Sequence, residues 1–292
     1  MKRSWTFDDI DMVLERGLEQ AYRVEGAEDR YYSADPALLE DALTAVALGK
    51  NLLLRGPTGS GKTRLAESLA ARLRLPMESI NCSVDLDAEA LLGFKTLALE
   101  DGQSVIRYVE GPVVRAMRRG HLLYIDEINM ARPEALPILN GVLDYRRQLS
   151  NPFTAETITA HHQFRVIAAI NEGYVGTAPM NEALKNRFVV LDVPYIQGES
   201  LAALIERQSD LRDAEQIRLF TDLSSDLVAA AEAGEVSEEA ASVRALLDAC
   251  DLAAHIPPIR AVRRAIAAKL DDKREQDLVM ELAAGYFGLE RR

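Results

Sequence analysis

Five short apolar runs punctuate the first two thirds of the chain: Asn51–Arg55, Met77–Cys82, His121–Ile128, Phe164–Asn171 and Phe188–Pro194. Each is continuous rather than alternating, and stretches with helical spacing separate them. Continuous runs between helices predict a parallel sheet covered on both faces. In such sheets ligands sit beyond the carboxyl ends of the strands. A glycine-rich octapeptide at 56–63, the pair Asp126-Glu127 and Asn171 all fall at those ends.

Beyond Gly198 the strand pattern stops. Leu201, Leu204 and Ile205 begin a helical spacing, and Ile217, Phe220, Leu223 and Leu227 continue one. Val243, Leu246, Leu247 and Cys250 make another, then Val262, Ile266 and Leu270, and finally Leu278, Leu282 and Phe287. This predicts an all-α domain over residues 198–292. Upstream, Ile10, Val13, Leu14 and Leu18 give Asp8–Tyr22 helical spacing within an N-terminal extension, residues 1–35. Asp35 is placed as an N-cap with Pro36 at the first helical position, and Gly49 as the end of that helix.

Two segments break the strand–helix alternation. Phe94–Tyr108, centred on Asp101-Gly102, reads as a hairpin with a tight turn, and Asp144–His162, with Asn151-Pro152, as a second. Phe94, Lys95, Arg146 and Arg147 are the hairpin residues that either touch a partner or pack the hairpin.

Composition narrows the classes. The chain has 292 residues, room for one large domain or a large and a small one. Its formal charge of −12 disfavours broad, sequence-independent DNA binding, which depends on neutralising phosphates. No run of apolar residues is long enough to span a membrane, and MKRSWTFDD lacks the apolar core of a signal peptide. Cys82 and Cys250, far apart, fit a reducing cytoplasm as small core residues. With His121, His161, His162 and His255 they form no metal-ligand spacing.

The octapeptide carries the chemistry. GPTGSGKT, Gly56–Thr63, follows an apolar run and precedes a helical one. Gly56, Gly59 and Gly61 accept backbone angles that let several N–H groups converge on one anion. The helix that follows adds its unpaired N-terminal donors and the positive end of its dipole. Lys62 reaches the β- and γ-phosphates, and the Thr63 hydroxyl suits Mg²⁺. The predicted nucleotide contacts are Gly56, Pro57, Thr58, Gly59, Ser60, Gly61, Lys62, Thr63 and, at the helix start, Arg64. Further along the chain, His121–Glu127 is an apolar strand ending in two acids. Asp126 would hold Mg²⁺ opposite Thr63, and Glu127 would orient and deprotonate the attacking water.

GPTGSGKT, LLYIDEINMA, VIAAINEG, NEALKNRF and SVRAL stand in the order expected of AAA+ ATPases, which this chain resembles. Within them it is most similar to the MoxR group and its CbbQ, NorQ and GvpN-like branch, through DLDAEALLGF (85–94), VEGPVVRAMRRG (109–120) and NEGYVGTAPMNEALKNRF (171–188). The resemblance covers residues 37–195 well and the helical domain by SVRAL only. It implies an α/β fold: a P-loop AAA+ domain over 36–197, with a five-stranded parallel sheet between helices, followed by a small all-α lid. Asn171 resembles the sensor at the end of the fourth strand. Arg187 resembles the arginine finger supplied by a neighbouring subunit, and Arg244 the second sensor, although Val243 stands where the family more often has Pro. Asn81 is a candidate for holding Glu127 inactive.

The resemblance further implies ATP and Mg²⁺ as ligands, a homo-oligomeric and most commonly hexameric ring, and a protein client. It implies remodelling or activation of a metalloenzyme or large complex, with a von Willebrand A domain protein as partner. The competing reading is an AAA+ nucleic-acid motor or loader, against which the acidic charge and the missing helix-turn-helix or zinc module weigh. A GTPase or small-molecule kinase would share the P-loop, but no NKxD string is present.

Overall fold

The computed structural model describes residues 31, 35–82, 86–100, 103–171 and 180–288. The helix predicted at Asp8–Tyr22 and the hairpin tip Asp101-Gly102 lie outside the described residues. So do residues 172–179 of the string that opens on Asn171.

Among the described residues the first elements are helix α1 (Pro36–Ala47), strand β1 (Asn51–Gly56), helix α2 (Lys62–Arg72) and strand β2 (Met77–Asn81). Helix α3 (Ala88–Leu92) leads into strands β3 (Gly93–Glu100) and β4 (Gln103–Glu110), then helix α4 (Pro112–Arg119) and strand β5 (Leu122–Asp126). Helix α5 (Leu136–Leu143), strands β6 (Gln148–Asn151), β7 (Glu156–Thr159) and β8 (Arg165–Asn171), helix α6 (Glu182–Lys185) and strand β9 (Phe188–Asp192) follow. Five α-helices follow among the described residues: α7 (Gly198–Gln208), α8 (Ala214–Glu232), α9 (Val243–Ala253), α10 (Pro258–Ala265) and α11 (Lys273–Phe287).

The five apolar runs of the sequence become the five strands of one sheet, in the order β2-β5-β8-β1-β9. The pairs β1–β9, β2–β5 and β5–β8 are parallel. Leu53, Leu123, Ile125, Val166 and Ala168 share a core with Leu92 of α3, Met117 of α4 and Leu139 of α5. Residues of the opposite parity (Leu52, Leu54, Leu122, Tyr124, Ile167, Ala169) are buried as well. Both faces are therefore covered, which is why the strands read as unbroken apolar runs.

Among the described residues the chain forms two compact units. One takes Tyr31, Ala37–Arg55 and Thr63–Asp192; the other takes Asp35, Pro36, Gly56–Lys62 and residues 193–288. The second has its own core, in which Leu201, Phe220, Leu227, Leu246, Cys250 and Val262 are buried. Asp213 starts α8 by accepting hydrogen bonds from the Glu215 and Gln216 amides, and Asp272 starts α11 through the Arg274 amide.

Both interruptions of the alternation are antiparallel hairpins. β3 pairs with β4 so that Leu97 faces Ile106, and β6 pairs with β7 so that Leu149 faces Ile158. Leu149 and Ile158 are buried, whereas Leu97 and Ile106 are 75% and 71% exposed. Arg147, one of the residues open to a partner on sequence grounds, is instead internal. It donates to the carbonyls of Phe164 and Gly49, both at 2.7 Å, and to Asn51 Oδ1 at 3.1 Å. Burial, then the charge of Arg165, pulls its pKa below that of a free guanidinium. Its role is to satisfy carbonyl oxygens near the amino ends of β1 and β8.

Candidate active site

The loop between β1 and α2 bends where its glycines allow. Gly59 and Gly61 take φ of 79° and 90°, angles a β-carbon resists. A β-carbon on Gly59 would also stand 2.6 Å from Ser242 Oγ, the residue preceding α9. Lys62 is buried and its ammonium donates back across the loop to the carbonyls of Gly56 (2.9 Å) and Pro57 (2.7 Å). The Thr58 amide donates to Glu238 Oε2 at 2.8 Å. The Thr58 amide thus serves an anionic acceptor, the Glu238 carboxylate. Thr63 and Arg64, on the first turn of α2, are exposed, and Arg64 pairs with Glu67 at 2.9 Å.

Three polar side chains gather at the carboxyl ends of β5 and β8. Asp126 ends β5, and its carboxylate accepts from the Glu127 amide at 3.1 Å. Glu127 then turns with φ of 51°, a left-handed conformation on a residue with a β-carbon. It is half-buried, and its Oε1 accepts from Asn171 Nδ2 at 3.2 Å. β5 and β8 are neighbours in the sheet, which is what brings residues 127 and 171 together. Asn81, the other amide considered for Glu127, sits opposite Asp126 in the β2–β5 register, and the amide that reaches Glu127 is Asn171. Cys82 lies just beyond, its amide donating to the Asp126 carbonyl at 3.0 Å. Burial, then the negative charges of Asp126 and Glu127, push its thiol up to about 12, so it stays neutral.

Tyr124 completes this group. Its hydroxyl lies 3.1 Å from Thr63 Oγ1, and the ring is buried. Burial, then the charge of Asp126, drives its pKa well above the usual phenol value, so it remains a protonated donor.

The two arginines lie elsewhere. Arg187 precedes β9, whose first residue Phe188 pairs with Asn51 at the start of β1. The Asn51 side chain donates to the Arg187 carbonyl, and the Arg187 guanidinium donates to the Ala183 carbonyl. It therefore sits at the amino ends of the strands, a strand length of about 16 Å from the edge that carries Asp126 and Asn171. Arg244 is exposed on the first turn of α9, two residues past the Ser242 that abuts Gly59.

The donor set fits a magnesium nucleotide. Thr63 and Asp126 offer hard oxygens of the kind Mg²⁺ takes. The buried Ser60 hydroxyl, inside the loop, has no hydrogen-bond partner among the described residues. A buried orphan of this kind calls for a ligand atom or water. The described residues hold no cluster of three His, Cys, Asp or Glu side chains suited to a metal.

Residues 51–188 match the AAA domain of the dynein-related subfamily. The chain is 62% identical to the uncharacterized protein YojN of Bacillus subtilis (strain 168), over 88% of this chain and 84% of that protein. It is 57% identical to the uncharacterized protein SH1500 of Staphylococcus haemolyticus (strain JCSC1435), over 86% of this chain and 96% of that protein. The chain belongs to the AAA+ ATPase family. A crystal structure from Cytophaga hutchinsonii, presented as a candidate ATPase, has a similar fold. Its TM-score is 0.51 and its identity 17%, over 96% of this chain and 93% of that one.

Two residues of this AAA+ ATPase escape a reading of its motifs. Tyr124 could have been found, because residues two apart on a strand share a face and Asp126 is two residues on. Glu238 could not: nothing local to residues 236–240 announces that the carboxylate meets an amide 180 positions earlier.

Proposed function

We propose that this AAA+ ATPase hydrolyses ATP at subunit boundaries of a ring and uses the cycle to remodel a protein client. The observation that carries the reading is the separation of Arg187 from the carboxylate edge. The residue resembling the finger sits at the far end of its own sheet, which supports its supply by a neighbouring copy. The loop Gly56–Thr63 holds the phosphates through backbone amides and Lys62. Glu127 takes the proton of the attacking water, and Asn171 aims the Glu127 carboxylate through the hydrogen bond at 3.2 Å. Thr63 and Asp126 would hold Mg²⁺, which would supply neutralising charge to the phosphates. Arg187 of one copy stabilises charge on the phosphoryl group in the next, an effect worth about 10³–10⁵ in rate in related enzymes. Arg244, whose helix begins beside Gly59, reports the γ-phosphate to the helical unit.

The similarity to the MoxR group and its CbbQ, NorQ and GvpN-like branch supports a six-membered ring, a client that is a metalloenzyme or large complex, and a von Willebrand A domain partner. The exposed apolar residues of the β3–β4 hairpin (Leu97, Leu99, Ile106) support a protein client rather than nucleic acid.

Phosphate release from Mg-ATP, measured beside sedimentation with nucleotide, tests this reading. Assembly with hydrolysis is expected. Arg187→Ala protein should bind ATP and hydrolyse none, and mixing it with Lys62→Ala protein should restore part of the activity. Failure of rescue in rings shown to be mixed would remove the shared site.

A further inference from the structure

Strand β1 opens on an amide, Asn51, and is apolar over the next three residues. Asn51 is 7% exposed, so its side chain needs partners inside the protein. Nδ2 donates to the carbonyl of Leu143, the last residue of α5, at 3.0 Å. It also donates to the carbonyl of Arg187, just before β9, at 3.1 Å. Oδ1 accepts from the Arg147 guanidinium at 3.1 Å. These directions admit one assignment, because a carbonyl only accepts and a guanidinium only donates. One buried amide thus joins the end of α5, the turn Asp144–Arg147 that follows it and the residue before β9.

The Arg187 backbone is held from two sides. Its amide donates to the Leu184 carbonyl at 3.1 Å, and its carbonyl accepts from Asn51. The half-buried guanidinium rests on the Ala183 carbonyl of the short helix α6. A neutral carbonyl is a weaker acceptor than a phosphate oxygen, so the guanidinium gains by exchanging one for the other while its backbone stays in place. Leucine at position 51 would fill the same volume and keep the β1–β9 pairing, in which residue 51 stands opposite Phe188. It would leave the Leu143 and Arg187 carbonyls without this donor.

We propose that Asn51 is a positioning residue that fixes the Arg187 backbone so that its guanidinium reaches the nucleotide held by a neighbouring copy. This rests on the shared-site reading above. It differs from a purely structural role in one measurable way. Asn51 begins the strand that leads into the loop Gly56–Thr63, so a merely structural residue would, when lost, harm the site of its own subunit. A positioning residue for Arg187 harms the neighbour's site and leaves its own intact.

Asn51→Asp in the full chain keeps the shape and the acceptor for Arg147 and removes both donors. Asn51→Ala, which sets no carboxylate against the two carbonyls, is run in parallel. Phosphate release is measured for each variant alone and in rings shown to be mixed. One mixing partner is Lys62→Ala protein, whose Arg187 is intact; the other is Arg187→Ala protein, whose loop is intact. Alone, each variant should bind ATP and assemble like the parent and hydrolyse about tenfold more slowly, a part of the finger's full effect. Mixing with Lys62→Ala protein should restore hydrolysis per variant subunit, and mixing with Arg187→Ala protein should not. Any other pattern of rescue overturns the proposal, above all rescue by Arg187→Ala protein, which would place the defect in the variant's own loop. Unchanged hydrolysis overturns it too, as does failure of both variants to assemble, which would make Asn51 a folding residue. If Arg187→Ala protein is itself not rescued by Lys62→Ala protein, the shared site falls, and this inference with it.

Discussion

The loop Gly56–Thr63 and the strand end Asp126-Glu127 both need the backbone to turn sharply after a buried strand. They meet that need differently. In the loop the left-handed angles fall on Gly59 and Gly61, where they carry little steric cost. At the strand end the left-handed angle falls on Glu127, which has a β-carbon. Such a residue costs about 1–2 kcal/mol in that conformation. Under the proposed function the difference follows from what each region would present. A phosphate cradle works through backbone N–H groups, so glycine suffices. A proton acceptor needs a side chain, so the strain cannot be relieved by removing it. Left-handed angles at Arg74, Arg147 and Ala155 show that such strain does not by itself mark an acting residue; at Glu127 it coincides with the carboxylate that the proposed function uses.

This contrast between holding and acting can be broken by substitution. The largest effect is expected from Glu127→Gln. Turnover should fall about 10²–10⁴-fold, the range for loss of a general base, while nucleotide affinity stays close to the parent value. Phosphate release and equilibrium titration together check it, and near-normal hydrolysis would mean that another group takes the proton. Lys62→Ala should act on the other side of the contrast. It removes a charged donor from the loop, and binding should weaken about 100-fold. An unchanged dissociation constant would contradict the cradle.

A third substitution sharpens the comparison. Glu127→Gly relieves the left-handed strain and should raise the unfolding free energy by about 1 kcal/mol, even as hydrolysis is lost. Denaturant titration reads this directly, and a loss of stability would show that Glu127 is not strained. The smallest effect concerns Glu238. Its carboxylate occupies the Thr58 amide, which the proposed function assigns to phosphate, and Glu238→Gln substitutes a weaker, neutral acceptor. ADP should then bind about threefold more tightly, the scale of a charge difference on one hydrogen bond; weaker binding would make Glu238 an ally of the nucleotide.

The two hairpins show where sequence reading loses its grip. Both are marked by turn residues between short apolar stretches, and both form. Yet Leu149 and Ile158 sit in the core at 5% and 4% exposure, while Leu97 and Leu99 are 75% and 78% exposed. Nothing local distinguishes an apolar residue that will be covered from one that will not. Arg147 makes the same point in reverse, since a charged residue in a hairpin looked open to a partner and is spent on three internal acceptors.

The sequence by itself determined what depends on neighbours along the chain. Continuous apolar runs specified buried parallel strands, because strands covered on both faces have no polar side to alternate. The glycine spacing of residues 56–61 specified a loop able to surround an anion, and the charge of −12 argued against broad DNA binding. Only the tertiary structure decided what depends on strand order. It set β8 beside β5, so that Asn171 rather than Asn81 reaches Glu127. It put Arg187 at the far end of the sheet from Asp126, and it joined Thr63 to Tyr124 and Thr58 to Glu238. The physical reason is range. Backbone angles and strand burial are fixed by a few adjacent residues, whereas a hydrogen bond between side chains needs two elements held within about 3 Å by packing over many others.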